Sequence, residues 1–525
     1  MSQLANFARA PVAAPALLLA AALSGCGGGT AETTTPTSPA AAPSQQACIR
    51  LQGKTLGAAK VLAVSDVAAT SDVPAHCQVS ASMAPKLNIV LRLPVSWNGK
   101  LYYVGGGGYD GVLPPLAQSA AALRKGFATV ASDGGHQAIG VDASWALSDP
   151  TAARMFGSEA IPTVLPAALE MIKAAYGAEP SRSYLEGCSN GGREALMMAQ
   201  RYPQLFDGII ARAPAYNWTG LMGAYQRNAK ALAAPGAMLG AAKIATLAGA
   251  VRAACDGLDG LADGIVSNPA ACSFDPAQLR CPGGADAGSG CLSDAQLALL
   301  QSWTTPAQFT AAASYRNPGW KLTGNEDDSG AWAPWLTGNG DARASLQYLF
   351  QDTTVKSYLA RNLSIDSLRY RYDQDPAALS ALAALNDATS TGLGAFHGRG
   401  GKLILWHGGS DVAISPNGSV EYYLGMQAAM GGQAVLDGFV RFYIAPGVNH
   451  CGGGEGADEV DLLAALDSWV SQQLAPGTLL ASKLFFGAPL LTRPLCAYPQ
   501  YARYIGPPND IGAALQASSF VCTPP

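Results

Sequence analysis

The sequence predicts an α/β fold: a mostly parallel sheet covered by helices on both faces and interrupted by one large insertion. Short runs rich in β-branched and aromatic residues recur at 87–93, 100–104, 127–131, 182–186, 208–211, 402–406 and 440–445. Helical patterns separate some of them, as at 161–175 and 193–202. Apolar strands alternating with helices are the pattern of a parallel sheet buried on both faces. Between 216 and 387 the strand signals stop, four cysteines cluster and five of the nine tryptophans appear, namely Trp218, Trp303, Trp320, Trp332 and Trp335. That stretch reads as a lid inserted between a first core part, 48–215, and a second, 388–525.

Composition narrows the class. Of 525 residues 49% are hydrophobic and 13% charged, which excludes a disordered chain. A net charge of −4 leaves no basic footprint, so nucleic acid is not an expected partner. Sixty glycines occur without a G-X-Y period, which excludes collagen.

Residues 1–25 read as an export signal: Arg9, an apolar run from Ala13 to Leu23, then small residues. The run ends in Leu23-Ser24-Gly25-Cys26, which resembles a bacterial lipobox and makes Cys26 the expected lipidation site. Gly27 after it favours the outer membrane in that resemblance; the plainer reading is an ordinary cleaved signal and a periplasmic or secreted protein. Residues 26–47 form a Thr/Pro/Ala-rich tether. Membrane contact is expected only through the lipid. Beyond Cys26 ten cysteines remain, an even number that reads as a disulfide framework in an oxidising compartment.

The sharpest motif is Gly187-Cys188-Ser189-Asn190-Gly191, a G-x-S-x-G between a strand and a helix. That context is the nucleophile elbow of α/β-hydrolases. A serine hydroxyl needs a base to take its proton, and the chain holds five histidines. His76 and His136 precede Ser189, against the chain order Ser, acid, His. His397 has no strand immediately before it, and His407 leaves no acid ahead of it. His450 follows the last core strand. Asp411, just past the strand at 402–406, is the expected acid; Asp437, the rival, lies before a strand. Cys188 and Cys451 adjoin Ser189 and His450, so this triad brings them together, and a bridge would clamp the His loop to the elbow. Closing so long a loop contributes ~5 kcal/mol in the chain-entropy treatment.

An oxyanion hole needs two N–H donors. Asn190, after the nucleophile, supplies one; the glycine run 105–108 suits the other. The same run offers a competing reading. Gly106, Gly108 and Gly111 satisfy G-x-G-x-x-G, and Asp133 ends the next strand, a passable dinucleotide fingerprint. Pro114-Pro115 interrupt the helix that reading requires.

The Cys-Ser and His-Cys pairs, the tetraglycine and the trailing cysteines together resemble the tannase/feruloyl esterase family, which includes the hydrolase of mono(2-hydroxyethyl) terephthalate. The resemblance runs from about Cys48 to Pro525. It implies an α/β-hydrolase with a large lid, a triad of Ser189, Asp411 and His450, and oxyanion donors Gly108 and Asn190. It also implies the bridges Cys48–Cys77, Cys188–Cys451, Cys255–Cys272, Cys281–Cys291 and Cys496–Cys522. Asp256-Gly257-Leu258-Asp259-Gly260-Leu261-Ala262-Asp263-Gly264-Ile265 matches the family's lid calcium loop. Three carboxylates so close in sequence suit a hard cation, with the Leu261 and Ile265 carbonyls completing the oxygen shell; without the resemblance, plain Asp-Gly turns are the default. No organic cofactor is implied.

The substrate expectation is an aromatic-acid ester, feruloyl, galloyl or similar. His407, Ile414, Trp332 and Trp335 are the candidate pocket residues. The terephthalate-monoester enzymes carry an aromatic residue where Ile414 stands and a lid arginine for the substrate carboxylate; Arg343 is the nearest candidate here. A reading of another class is a non-catalytic surface lipoprotein that binds phenolics or glycans. The intact triad argues against it.

Overall fold

The computed structural model describes residues 48–309 and 315–525. The export signal, Cys26 and the tether lie outside the described residues.

Eight strands precede the insertion: β1 (Thr55–Leu56), β2 (Ala59–Val67), β3 (His76–Met83), β4 (Leu87–Pro94), β5 (Lys100–Val104), β6 (Ala128–Ser132), β7 (Arg182–Cys188) and β8 (Gly208–Arg212). The insertion contributes helices and one two-residue ladder, β9 (Ala307–Gln308) with β10 (Arg316–Asn317). β11 (Lys402–Gly408) and β12 (Val440–Ala445) then complete a ten-stranded sheet in the order β1-β2-β3-β4-β6-β5-β7-β8-β11-β12. β8 pairs directly with β11 although the whole lid separates them in sequence.

The sheet has two characters. From β6 to β12 every pairing is parallel. From β1 to β6 every pairing is antiparallel. The sheet is therefore parallel where it carries the site and antiparallel at its N-terminal end, less parallel throughout than its apolar runs predict. β2 is largely exposed and its apolar run is only four residues, Val61 to Val64, while β3 alternates buried residues with half-buried small and polar ones and carries no apolar run. At the C-terminus β13 (Leu479–Phe485) pairs with β14 (Ala488–Leu495), and β15 (Tyr501–Tyr504) with β16 (Phe520–Thr523), outside the main sheet. Two prolines within β14 mask its pattern.

Helices cover both faces, as parallel strands require. Helices Ala160–Tyr176, Asn190–Arg201 and Pro416–Ala429 pack on one face, and Leu116–Arg124 and Leu462–Gln472 on the other. The lid has its own core around Trp218, Trp303, Trp320 and Trp332. That core is continuous with Val412, Ala413 and Ile414, so the lid packs directly against the loop that follows β11. All five disulfides that the family resemblance implies are present.

The elbow depends on backbone packed against backbone. A Cβ added to Gly191 would lie 2.6 Å from the Gly106 carbonyl oxygen and 3.1 Å from the Gly105 carbonyl carbon, neither of which can move aside cheaply. Gly191→Ala is expected to destabilise the protein by roughly 1–3 kcal/mol, the cost of overpacking a close-packed interior. Gly249→Ala serves as control, since nothing lies within 4 Å of its added Cβ and Ala is better than Gly in a helix by about 1 kcal/mol. Denaturant midpoints of the two variants should move in opposite directions; equal shifts would contradict the packing account.

Candidate active site

Ser189 stands at φ 63°, ψ −119°, between β7 and the helix Asn190–Arg201. A side chain held in this region costs about 1–3 kcal/mol and persists only where the surroundings enforce it. Here they do: the Ser189 N–H donates to the Arg212 carbonyl at 3.0 Å, and the Ser189 carbonyl accepts from Arg193 at 3.0 Å and from Ala215 at 3.1 Å. The turn lifts a half-buried Ser189 to the C-terminal edge of the parallel strands.

His450 and Asp411 come from the loops after β12 and β11. His450 Nδ1 bonds to Asp411 Oδ2 at 2.7 Å. The other oxygen, Oδ1, accepts the backbone N–H groups of Ala413 at 2.8 Å and Ile414 at 2.9 Å. Asp411 is fully buried. Burial alone would raise its carboxyl, but the charge of His450 and hydrogen bonds from His407 and His450 outweigh it and hold Asp411 well below the usual carboxylate range. Asp411 is thus a fixed anion facing the imidazole. Asp437 is exposed and pairs with Arg441 at 3.3 Å, away from His450.

The Cys188–Cys451 bridge, with a Cα–Cα distance of 6.0 Å, joins the residue before Ser189 to the residue after His450. It ties the elbow and the histidine loop together at one point.

The glycine loop after β5 lies over the start of the elbow helix. The Gly106 N–H donates to Glu194 Oε2 at 2.9 Å. Gly108 has φ 59°, and an added Cβ there would collide with the Gly140 carbonyl. Asn190 opens the helix, where a backbone N–H has no intrahelical acceptor. The dinucleotide reading of this loop fails. The next helix begins only at Leu116, and Asp133 is already engaged by Asn88, Gly135 and Gln137.

Around Asn190 lies a buried polar group that sequence reasoning missed. Asn190 Nδ2 donates to Asp110 Oδ1 at 2.9 Å, and its Oδ1 accepts from Arg193 Nε at 2.7 Å. Burial, then the Glu194 charge, push the Asp110 carboxyl well above its ordinary range. A signal for it existed: Arg193 and Glu194 lie in the first turn of the helix, between two glycines and the apolar run Ala195 to Ala199.

The pocket candidates separate. Trp335 packs edge-on against His450, with ring centroids 5.2 Å apart, and stacks on Phe350. It borders a cleft of about 310 Å³ together with Asp328, Asn449, His450 and Glu455. Ile414 is nearly buried beside the triad loop and borders a small cavity with Ala215. Trp332 borders a different cavity from Trp335, one that also reaches Asp411, and His407 is a correction. Trp332 is 0% exposed, edge-on to Trp303 in the lid core. His407 is likewise 0% exposed. Its Nδ1 meets Ser419 Oγ at 2.8 Å, and its Nε2 lies 2.9 Å from the Ile414 carbonyl and 3.2 Å from Asp411 Oδ2. His407 packs behind Asp411 instead of lining a pocket. Arg343 is exposed over the Tyr348 ring and does not border the cleft. A second, more apolar cavity of about 230 Å³, walled by Trp320, Pro446 and Tyr498, reaches the Asp411 loop but neither Ser189 nor His450.

In the lid loop, Asp256 and Asp259 are buried. Burial, eased by the hydrogen bonds it accepts from Leu261 and Ser267 and reinforced by the charges of Asp263 and Asp256, pushes Asp259 up to about 6. An all-oxygen donor set under this mutual repulsion fits a hard cation. The carboxylates do not converge as three on one point among the described residues, because Asp263 pairs with Arg493 at 2.6 Å and Asp256 accepts the Asp263 and Gly264 N–H groups.

The family model for tannase and feruloyl esterase matches residues 71–523. The mono(2-hydroxyethyl) terephthalate hydrolase of Piscinibacter sakaiensis is 34% identical over 522 residues, covering 86% of this chain and 85% of that protein. A probable feruloyl esterase of Arthroderma benhamiae is 30% identical, covering 83% of this chain and 82% of that one. The crystal structure of feruloyl esterase B from Aspergillus oryzae superposes with a TM-score of 0.81 at 23% identity, over 91% of this chain and 100% of that one, a likeness of fold. The chain belongs to the tannase and feruloyl esterase family of carboxylic ester hydrolases.

Proposed function

We propose that the protein is an exported serine esterase that hydrolyses esters of aromatic acids, feruloyl, galloyl or similar, through an acyl-enzyme. The observation that carries this reading is the His450–Asp411 pair at 2.7 Å, joined to the strained Ser189 turn by the Cys188–Cys451 bridge. Ser189 Oγ attacks the ester carbonyl while His450 Nε2 takes its proton, and the buried Asp411 anion stabilises the imidazolium. The backbone N–H groups of Gly108 and Asn190 hold the oxyanion. Collapse expels the alcohol, which receives the proton from His450. Water, deprotonated by the same imidazole, then releases the acid and restores Ser189.

Trp335 beside His450 offers an aromatic face to the substrate, which favours an aromatic acyl or alcohol group. A terephthalate monoester is the second reading, favoured by the 34% identity to the Piscinibacter enzyme. Against it, the cleft carries Asp328 and Glu455 and, among the described residues bordering it, no cationic side chain for a free carboxylate. A panel of methyl ferulate, methyl gallate and the terephthalate monoester separates the two. The neutral phenolic esters should be preferred; preference for the monoester would reverse the assignment.

Five disulfides support an oxidising compartment. No helix among the described residues is long and apolar enough to cross a membrane, and attachment through a lipid on Cys26 is part of this proposal. Calcium in the lid would be held by Asp256, Asp259 and Asp263 with the carbonyls of Leu261 and Ile265, as a structural ion that neutralises the loop.

Ser189→Ala should cut esterase activity by several orders of magnitude, roughly 10⁴-fold or more, with an unchanged melting curve. Retention of more than a few per cent of activity would sink the nucleophile assignment. Cys188→Ala with Cys451→Ala should depress kcat more than KM, because a displacement near 1 Å costs about 10²-fold, and should destabilise by roughly 2–5 kcal/mol. Normal kcat in the double variant would mean the bridge does not set the proton-transfer distance. Calcium chelation should lower Tm more than it lowers kcat; an unchanged Tm would return the loop to plain Asp-Gly turns.

A further inference from the structure

We propose that Asp110 and Glu194 share one proton behind the oxyanion hole, and that this proton positions the two backbone donors, Gly108 and Asn190. The proposal rests on the esterase reading for what the hole does, but not for the existence of the proton.

The two halves of the hole come from different elements, and the carboxyl pair fastens them to each other. Asp110 belongs to the glycine loop, and its Oδ1 accepts from Asn190 Nδ2 on the elbow helix at 2.9 Å. Glu194 belongs to the elbow helix, and its Oε2 accepts from Gly106 N–H on the glycine loop at 2.9 Å. Asn190 Nδ2 also lies 3.5 Å from Glu194 Oε1, so one amide serves both acids. Its orientation is not free, because Asn190 Oδ1 is committed to Arg193 Nε at 2.7 Å. Asp110 itself is held at φ 52°, a conformation that a non-glycine residue keeps only under constraint.

Charge balance calls for the proton. Asp110 is 2% exposed and Glu194 7%. Only one cation stands close, Arg193, which is 0% exposed and spends its Nη hydrogens on the carbonyls of Phe156, Gly157 and Asn386. It pairs directly with neither acid. Two ionised carboxylates here would leave a net negative charge sealed from water, and adjacent buried carboxyls avoid this by retaining a proton. With Asp110 protonated, its hydroxyl donates to Glu194, whose Oε2 accepts the Gly106 N–H. Other titratable groups facing the pair are Tyr103 on β5, Asp133 after β6, His136 on the Tyr109 carbonyl, and, across Arg193, Asp387 and Tyr358. Tyr103, bonded to Ser132, and Asp133, engaged by Asn88 and Gln137, are themselves acids and bring no positive charge to the pair.

The catalytic consequence follows from the field. Loss of the proton places a second negative charge behind donors that must stabilise a developing oxyanion, and pushes Glu194 from Gly106. Both effects lower kcat with little effect on ground-state binding. For stability, an acid raised in the folded state contributes fully below its unfolded pKa, and that contribution is lost as pH rises through the folded pKa.

The test reads the proton first and activity second. Infrared difference spectra at neutral pH, wild type minus Asp110→Asn, should contain the C=O stretch of a buried protonated carboxyl. The same band should appear in a Ser189→Ala background, where no turnover occurs, so failure of the esterase reading would leave this result standing. In kinetics, Asp110→Ala should lower kcat by about tenfold or more while KM changes less than about twofold, a fraction of the loss seen on removing an oxyanion donor. Asp110→Asn, which keeps the donor, should recover most of that loss and remove the fall of kcat at alkaline pH. If Asp110→Asn does not fold, Glu194→Gln replaces it and should abolish the same infrared band. Absence of the band in the wild type would overturn the shared proton. A KM effect as large as the kcat effect, or an alkaline fall unchanged in Asp110→Asn, would overturn the positioning role.

Discussion

The site depends on close backbone approach at the elbow. β7 ends at Cys188, Ser189 takes a conformation that side chains avoid, and the helix after it starts against the glycine loop with no Cβ between them. The strain is sustained by three backbone hydrogen bonds, to β8, to the loop after it and to the first turn of the elbow helix, and by the bridge from Cys188 to Cys451. Relaxing any of these would loosen the turn that sets Ser189 beside the bridge to the His450 loop.

From that point the other parts acquire their roles. Parallel strands β7, β8, β11 and β12 end at the same edge, so loops remote in sequence deliver Ser189, Asp411 and His450 together. The lid interrupts the chain between β8 and β11, where it can pack on the acid loop through Val412 to Ile414 and present Trp335 to His450. Behind the acid, His407 and two backbone N–H groups keep Asp411 charged in a dry setting. Behind the oxyanion loop, Arg193, Asn190, Asp110 and Glu194 form a second buried network. The catalytic surface is thus a thin layer supported by polar groups that water does not reach, and such networks rigidify only when every member is satisfied.

Much of this was legible in sequence, for identifiable reasons. β4, β5, β6, β8, β11 and β12 are buried along most of their length, and their apolar runs place boundaries close to those observed. The elbow and the triad order are local and ordinal, so one sequence suffices to read them. β2 and β3 are hard to read because β2 is largely exposed with only a short apolar run, and β3 alternates apolar with small polar residues. His407 differs for another reason: residue type suggests a pocket, but only three-dimensional packing says whether a side chain faces a cleft or a core. The same holds for Arg193 and Glu194, charges that look solvent-exposed in sequence and are sealed by the glycine loop and lid. In the calcium loop the donor types were readable, whereas their convergence is a matter of side-chain placement in which Arg493, far away in sequence, takes part.

The most direct test of the central claim is covalent. Wild-type protein treated with a fluorophosphonate, digested and mapped by mass spectrometry should carry one adduct, on the peptide containing Ser189, and His450→Ala should lose it while remaining folded. An adduct on another serine, or none on a folded wild type, would contradict the triad and the reading built on it.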